Sequence, residues 1–230
     1  MERAAMTAPI RNFNVDERVH TDLRPRPSDQ IYSAHFKRAV DVTLVLSTAI
    51  VTVPFILLAA LLISLDGASP FYVQRRIGRG GRQFRMWKLR TMRIGAEALL
   101  SEQLSRSPTC AREWQLSQKL RTDPRVTIVG RLLRKTSLDE LPQLWNVLRG
   151  DMSLVGPRPM MVEQMSRYHG TDYFTLRPGM TGLWQVSARN SSTFEARAQF
   201  DATYAAKQSF LFDLFLMLRT VGVVLRGTGY

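Results

Sequence analysis

Val42–Leu65 reads VTLVLSTAIVTVPFILLAALLISL, a run of 24 residues without a charge. At about 1.5 Å per residue, a helix of this length can cross a bilayer. A membrane span is therefore one reading. Pro54 stands near the centre, where it removes a helix hydrogen bond and favours a kink. Lys37 and Arg38 precede the run. Arg75, Arg76, Arg79, Arg82, Arg85, Lys88, Arg90 and Arg93 follow it, with no acid between Phe71 and Arg93. Basic flanks are retained in the cytoplasm. A helix that enters, breaks at Pro54 and leaves on the same side keeps both flanks there, which is the second reading. Asp41, near the entry, belongs at the interface rather than in hydrocarbon.

Outward from this segment, the chain divides into three parts. Residues 1–35 are a flexible polar tail containing RPRP. They lack an apolar core, so they are not a secretory signal. Residues 36–66 are the membrane segment, and 67–230 form one further domain. Apolar residues make up 45% of the 230, enough for a core. The net charge of +13 implies an anionic partner: nucleic acid, an acidic membrane or a phosphorylated substrate. Cys110 is the single cysteine, which excludes an internal disulfide. His20, His35 and His169 are scattered and form no metal cluster.

Within the domain, FYVQRRI and RQFRMWKLR alternate like strands around GRGG, a hairpin with many arginines to place. Those arginines face solvent, phosphate or lipid headgroups. Ala96–Arg106 and Arg112–Leu120 read as surface helices. DPRVTIVGRLLRK runs a strand-like piece into a basic helix. RPGMTGLWQVSARN (Arg177–Asn190) reads as a loop that closes on a ligand. Phe210–Leu225 is apolar but carries Asp213 and Arg219, and suits an interfacial or a core helix.

The chemistry concentrates in TSLDELPQLWNVLRGDMSLVGPRP (Thr136–Pro159). Ser137 and Glu140 fit a capping box. Leu141, Leu144, Trp145 and Leu148 recur at helical spacing, and Gly150 fits the stop. Asp139 and Glu140 would then sit at a helix mouth, where acids interact favourably with the dipole and need no catalytic role. The surroundings add a second interpretation. Arg134, Lys135 and Arg158 could gather a polyphosphate there, with Asp139 as a nucleophile and Glu140 holding Mg²⁺ through oxygen.

KRAVDV, the proline-interrupted apolar run, RRIGRGGRQFRMWKLRTM, the long segment from Asp123 to Pro159 and RPGMTGLWQVSARN together resemble the bacterial sugar transferases. These are the monotopic phosphoglycosyl transferases that initiate exopolysaccharide and O-antigen synthesis. The resemblance covers Phe36–Tyr230. It is closer to the small exopolysaccharide-initiating galactose or glucose phosphotransferases than to the larger relatives with an added multi-helix membrane domain. It implies a mixed α+β monotopic membrane protein: a re-entrant helix broken at Pro54, then a small cytoplasmic domain with a basic hairpin and interfacial amphipathic helices. It further implies transfer of hexose-1-phosphate from a UDP-hexose to undecaprenyl phosphate, with Mg²⁺, at the cytoplasmic face of the bacterial inner membrane.

The resemblance also carries residue roles. Asp139 matches the aspartate that takes the phosphosugar covalently. Glu140 matches its metal-bound partner, and Arg134 an arginine on the phosphate side. Arg158, between Pro157 and Pro159, and Arg189 match positions for the nucleotide diphosphate or uridine. Lys88 and Arg90 fall in another functional stretch. The family usually has serine before the helix proline, and here Val53 stands there, with Thr52 as the nearby hydroxyl. Anionic inner-membrane lipid is an expected partner, nucleic acid is not, and a homodimer is a compatible assembly. Two rivals remain open. One is a non-catalytic basic protein that binds membrane surfaces or polyanions. The other is a carboxylate-pair glycosidase, although adjacent acids point apart rather than across a sugar.

Overall fold

The computed structural model describes Tyr32 and residues 36–117, 120, 122–187 and 192–225. The tail expected over 1–35 lies almost wholly outside the described residues. The first element, α1 (Lys37–Ser64), is a single helix of 28 residues. It is long and apolar enough to cross a membrane by length and composition. Pro54 lies inside it and does not end it, and the chain is helical on both sides of the proline. Proline has no N–H, so the Ile50 carbonyl loses its helical donor. One such loss does not outweigh the bonds on either side.

Both ends of α1 are fastened to the same body. At the start, Lys37 forms an ion pair with Asp213, and Arg38 donates to the carbonyls of Val147 and Leu148. The Asp41 carboxylate accepts from the Leu154 N–H at 3.1 Å. Val45 packs with Met86, Val147 and Met152. At the far end, Ala59, Ala60 and Ile63 pack on Leu89 and Leu133. Arg90 ties this end down, donating to the Ile63 carbonyl and to Asp66 at 2.6 Å. The outer face between them is uncovered leucine, isoleucine and valine: Leu46, Ile50, Val51, Val53, Leu57, Leu58 and Leu61.

The basic hairpin forms as the alternation predicts. Strands β1 (Phe71–Ile77) and β2 (Gln83–Leu89) pair antiparallel with Gln74 opposite Met86. Between them, Gly80 and Gly81 take positive φ, which side chains disfavour. After two surface helices, α2 (Ala96–Arg106) and α3 (Pro108–Ser117), comes α4 (Ile128–Lys135). Thr127 caps it, its hydroxyl accepting from the Gly130 N–H at 2.9 Å. Then follow α5 (Gln143–Arg149), β3 (Ser153–Val155) and β4 (Met160–Met161). The remaining elements are α6 (Asp172–Thr175), β5 (Gly179–Thr181), α7 (Leu183–Ser187), α8 (Arg197–Lys207) and α9 (Phe210–Leu225). The fold is thus mixed α/β.

Two small sheets position the site. β4 adds to β1 to give the order β2-β1-β4, and β3 pairs parallel with β5. The outer edge of β2 is closed by buried Asn146 of α5. Its side chain accepts from the Trp87 N–H at 3.1 Å and donates to the Arg85 carbonyl at 2.7 Å. The parallel pair explains the glycines of VGPRP and RPGMTG. A Cβ on Gly179 would stand 2.1 Å from the Gly156 nitrogen, so the two backbones approach as only glycines allow. The span expected to be a ligand-closing loop therefore contains β5 and α7. α9 has two faces: Asp213 and Leu216 face the core, while Phe210, Leu211, Leu214, Phe215 and Leu218 are exposed.

Candidate active site

Asp139 and Glu140 do not stand at the mouth of α5. They lie in a separate 3₁₀ turn, Leu138–Glu140, and α5 begins only after Pro142. The capping box is absent, because Ser137 takes the left-handed region (φ 56°) and makes no side-chain cap. A residue other than glycine in this region is costly, so the surroundings hold the turn in place. The Arg134 carbonyl accepts from the Ser137 N–H at 3.1 Å, which joins the end of α4 to the acid pair.

Three elements then converge. Lys88 of β2 reaches Glu140 with Nζ 2.7 Å from Oε1. Arg134 of α4 is oriented by Thr91, its Nε donating to the hydroxyl at 2.8 Å. Burial pushes the Asp139 carboxyl above the usual range, Lys88 and Arg134 pull it back, and the neighbouring Glu140 pushes it up. Burial also lowers the Arg134 guanidinium, and Asp139 opposes that shift. A half-buried carboxylate is thus flanked by two cations that favour its charged form.

Two unlike surfaces adjoin the segment that carries this pair. One is an apolar cavity of about 320 Å³, walled by Val53 of α1, Phe71, Trp87, Leu141, Pro142 and Trp145. The helical stripe of Leu144, Trp145 and Leu148 lines this cavity, whereas Gln143, Asn146 and Val147 face the core. The other is a narrow cleft lined by Lys88, Glu140, Arg76 and Arg158. Beyond it opens a cavity of about 220 Å³ walled by Arg76, Arg158, Pro159, Trp184, Phe194 and Arg197.

The structure therefore gathers Asp139, Glu140, Arg134, Lys88 and Arg158 along one path. Pro157 and Pro159 shape the loop that carries Arg158. The Pro157 carbonyl accepts from Gly179 at 2.8 Å, and that of Pro159 accepts from Arg76 at 3.1 Å. The guanidinium of Arg90 is taken up by Asp66 and by the carbonyls of Ile63 and Ser69. Arg189 lies outside the described residues. Pro54 is in α1, and its neighbours Thr52 and Val53 wall the apolar cavity. Sequence reasoning missed Arg76 and Arg197 as site residues. Arg76 could have been suspected from strand alternation, while nothing local marks Arg197.

The sequence profile of the family described as "Bacterial sugar transferase" matches residues 32–227. The chain belongs to this family. A UDP-galactose-lipid carrier transferase of Erwinia amylovora is 44% identical over 199 residues, 86% of this chain but only 42% of that protein. The exopolysaccharide production protein ExoY of Sinorhizobium fredii is 43% identical over 196 residues, 84% of this chain and 87% of ExoY. A UDP-glucose:undecaprenyl-phosphate glucose-1-phosphate transferase of Caulobacter vibrioides is 39% identical over 215 residues, 89% of this sugar transferase and 70% of the relative. The chain thus spans less than half of the Erwinia protein. Length, rather than identity, sets the small relative apart from the large one.

Proposed function

We propose that this sugar transferase moves hexose-1-phosphate from a UDP-hexose to undecaprenyl phosphate, releasing UMP, and so initiates exopolysaccharide synthesis. The names of the relatives supply galactose and glucose as the candidate hexoses. The observation that carries the proposal is that Glu140 lines the cleft shared with Arg76 and Arg158, while Leu141 and Pro142, next in the chain, wall the apolar cavity. A transferase that moves a phosphosugar from a water-soluble nucleotide sugar to a lipid phosphate needs both kinds of surface near one reactive group. A polyanion binder without turnover gains nothing from a carboxylate among its cations.

Asp139 Oδ attacks the phosphorus bonded to the sugar. An O–P bond forms, the bridging O–P bond breaks, and its electron pair stays on the nucleotide, which leaves as UMP. A phosphate oxygen of the lipid then attacks the same phosphorus, and the bond to Asp139 breaks to restore the carboxylate. Lys88, Arg134 and Arg158 face the charge that moves through these steps. The donor set suits Mg²⁺, which takes one or two carboxylates and completes its shell with phosphates and water. Among the described residues no group of three metal-ligating side chains forms a full protein cage. Glu140 would hold the ion, with Lys88 yielding its contact, and the bound ion would neutralise diphosphate charge. The direct test is to supply UDP-galactose or UDP-glucose with undecaprenyl phosphate to the membrane-bound protein and follow UMP. One of the two should be consumed. Consumption of neither, in protein that is folded, contradicts the proposal.

We further propose that α1 is re-entrant, with the domain on the cytoplasmic face. Support comes from the fastening of both its ends to one body and from its uncovered apolar middle. The exposed apolar faces of α4 and α9 belong at the same interface, Ile128 being 84% exposed. Cysteines placed singly at Ser33 and Ser69, with Cys110 replaced by serine, should both escape an impermeant thiol reagent in intact cells. Labelling of one alone would mean a span. Pro54→Leu should shift the segment towards spanning and lower activity.

A further inference from the structure

The arginine-lined cavity carries more positive charge than the protein answers. Arg76 and Arg197 are buried, 8% and 4% exposed. Each has neutral partners only. Arg76 donates to the Pro159 carbonyl at 3.1 Å and to Gln74 at 2.6 Å, and Arg197 to the Arg158 carbonyl at 2.6 Å. The Nε of both has no hydrogen-bond partner. Among the described residues, no carboxylate lies within ion-pair distance of Arg76, Arg158 or Arg197. The nearest influence is Asp201, one turn along α8, but its carboxyl accepts from the Tyr168 hydroxyl at 2.8 Å and burial pushes it up to about 6. Arg197 is instead held between two rings, 5.3 Å from the centre of Trp184 and 5.0 Å from that of Phe194. Buried cations are ordinarily paired, and a rigid group of them around a cavity asks for an anion from outside.

We propose that Arg76 and Arg197, with Arg158, form a built seat for the phosphate that stays with the nucleoside, and so for the departing nucleoside monophosphate. The inference rests on the reaction proposed above and assigns its leaving-group end. When the bridging O–P bond breaks, the electron pair collects on that phosphate, which becomes a dianion. Guanidinium groups fixed before the reaction stabilise this charge without having to reorganise. Two parallel N–H bonds from a guanidinium fit a phosphate edge as a lysine ammonium does not. The cleft through Lys88 and Glu140 sets the reacting phosphate next to the acid pair and its neighbour towards this seat.

Gln164 gives a test that does not disturb the arginines. It walls the same cavity, and its side-chain oxygen accepts from the Met161 N–H at 3.0 Å. Gln164→Glu keeps that acceptor and supplies an internal counter-charge. The full chain in lipid nanodiscs, carrying Asp139→Asn to prevent turnover, is titrated with UMP, UDP and uridine. Gln164→Glu should raise the melting temperature yet weaken UMP and UDP binding at least tenfold, leaving uridine within twofold. Arg197→Lys should weaken UMP by a similar factor. In the turnover-competent protein, Gln164→Glu should raise KM for the UDP-sugar and leave KM for the lipid phosphate alone. UMP affinity within twofold of the parent in both variants would overturn the seat, even if transfer itself proceeds. Arginine-dependent UMP binding without any sugar transfer would instead leave the seat standing and overturn the reaction.

Discussion

Asp139→Asn should abolish transfer, with a fall of at least about 10⁴-fold, the scale seen when a covalent nucleophile is removed. The amide matches the carboxylate in shape, and the 3₁₀ turn that holds it depends on backbone bonds from Ser137 and Leu138. The protein should therefore melt within a few degrees of the parent, so loss of activity reports chemistry and not unfolding. Glu140→Gln should act differently. It leaves the nucleophile and removes the charged partner of Lys88. Activity should fall about 10–100-fold, as when a metal ligand's support is weakened, and excess Mg²⁺ should recover part of it. Transfer by Asp139→Asn near the parental rate would return Asp139 to the role of a turn-stabilising acid.

The second large effect lies far from the chemistry. Asp213 is 2% exposed and receives Lys37, the Tyr32 hydroxyl at 2.8 Å and the Tyr204 hydroxyl at 2.7 Å. Asp213→Ala leaves the buried Lys37 ammonium and the Tyr32 hydroxyl without their acceptor, while the Tyr204 hydroxyl retains the Val155 carbonyl at 3.1 Å. Breaking one side of such a pair costs about 3–5 kcal/mol, which in a domain of this size lowers the melting temperature by about 6–20 °C. The first turn of α1 should loosen with it, because Lys37 is one of its anchors. Lys37→Met combined with Asp213→Leu should recover much of the loss, since an apolar pair of similar volume replaces the ions. A melting temperature for Asp213→Ala within about 2 °C of the parent would contradict this account of how α1 is held.

What the sequence disclosed, and what it hid, follows from the range of the interactions. The hairpin was legible because alternation and GRGG are local signals, and so was α4 as a basic helix. The acid pair was legible as a place, through the density of charge around it, but not as a shape. Ser137 and Glu140 have capping-box spacing, yet Pro142 delays the helix and tertiary contacts turn Ser137 left-handed. Arg90 looked like part of a continuous basic surface. Only the return of the chain past Asp66 shows that it serves as a staple. Lys37 and Asp213 are 176 residues apart, beyond any pattern a single sequence can offer. Arg197 was hidden for the same reason. Its role depends on Arg76 and Arg158 arriving from β1 and from the loop after β3.

The central claim is that the phosphosugar passes through Asp139, and UMP release without the lipid acceptor tests it most directly. Purified protein is mixed with UDP-sugar and Mg²⁺ in the absence of undecaprenyl phosphate, and UMP is counted against active sites. A covalent route predicts a burst of at most one UMP per site. It also predicts a mass gain of one hexose phosphate on the peptide carrying Asp139, with burst and adduct both absent in Asp139→Asn. UMP that appears only after lipid is added, with no adduct on that peptide, would contradict the account and point to direct transfer within a ternary complex.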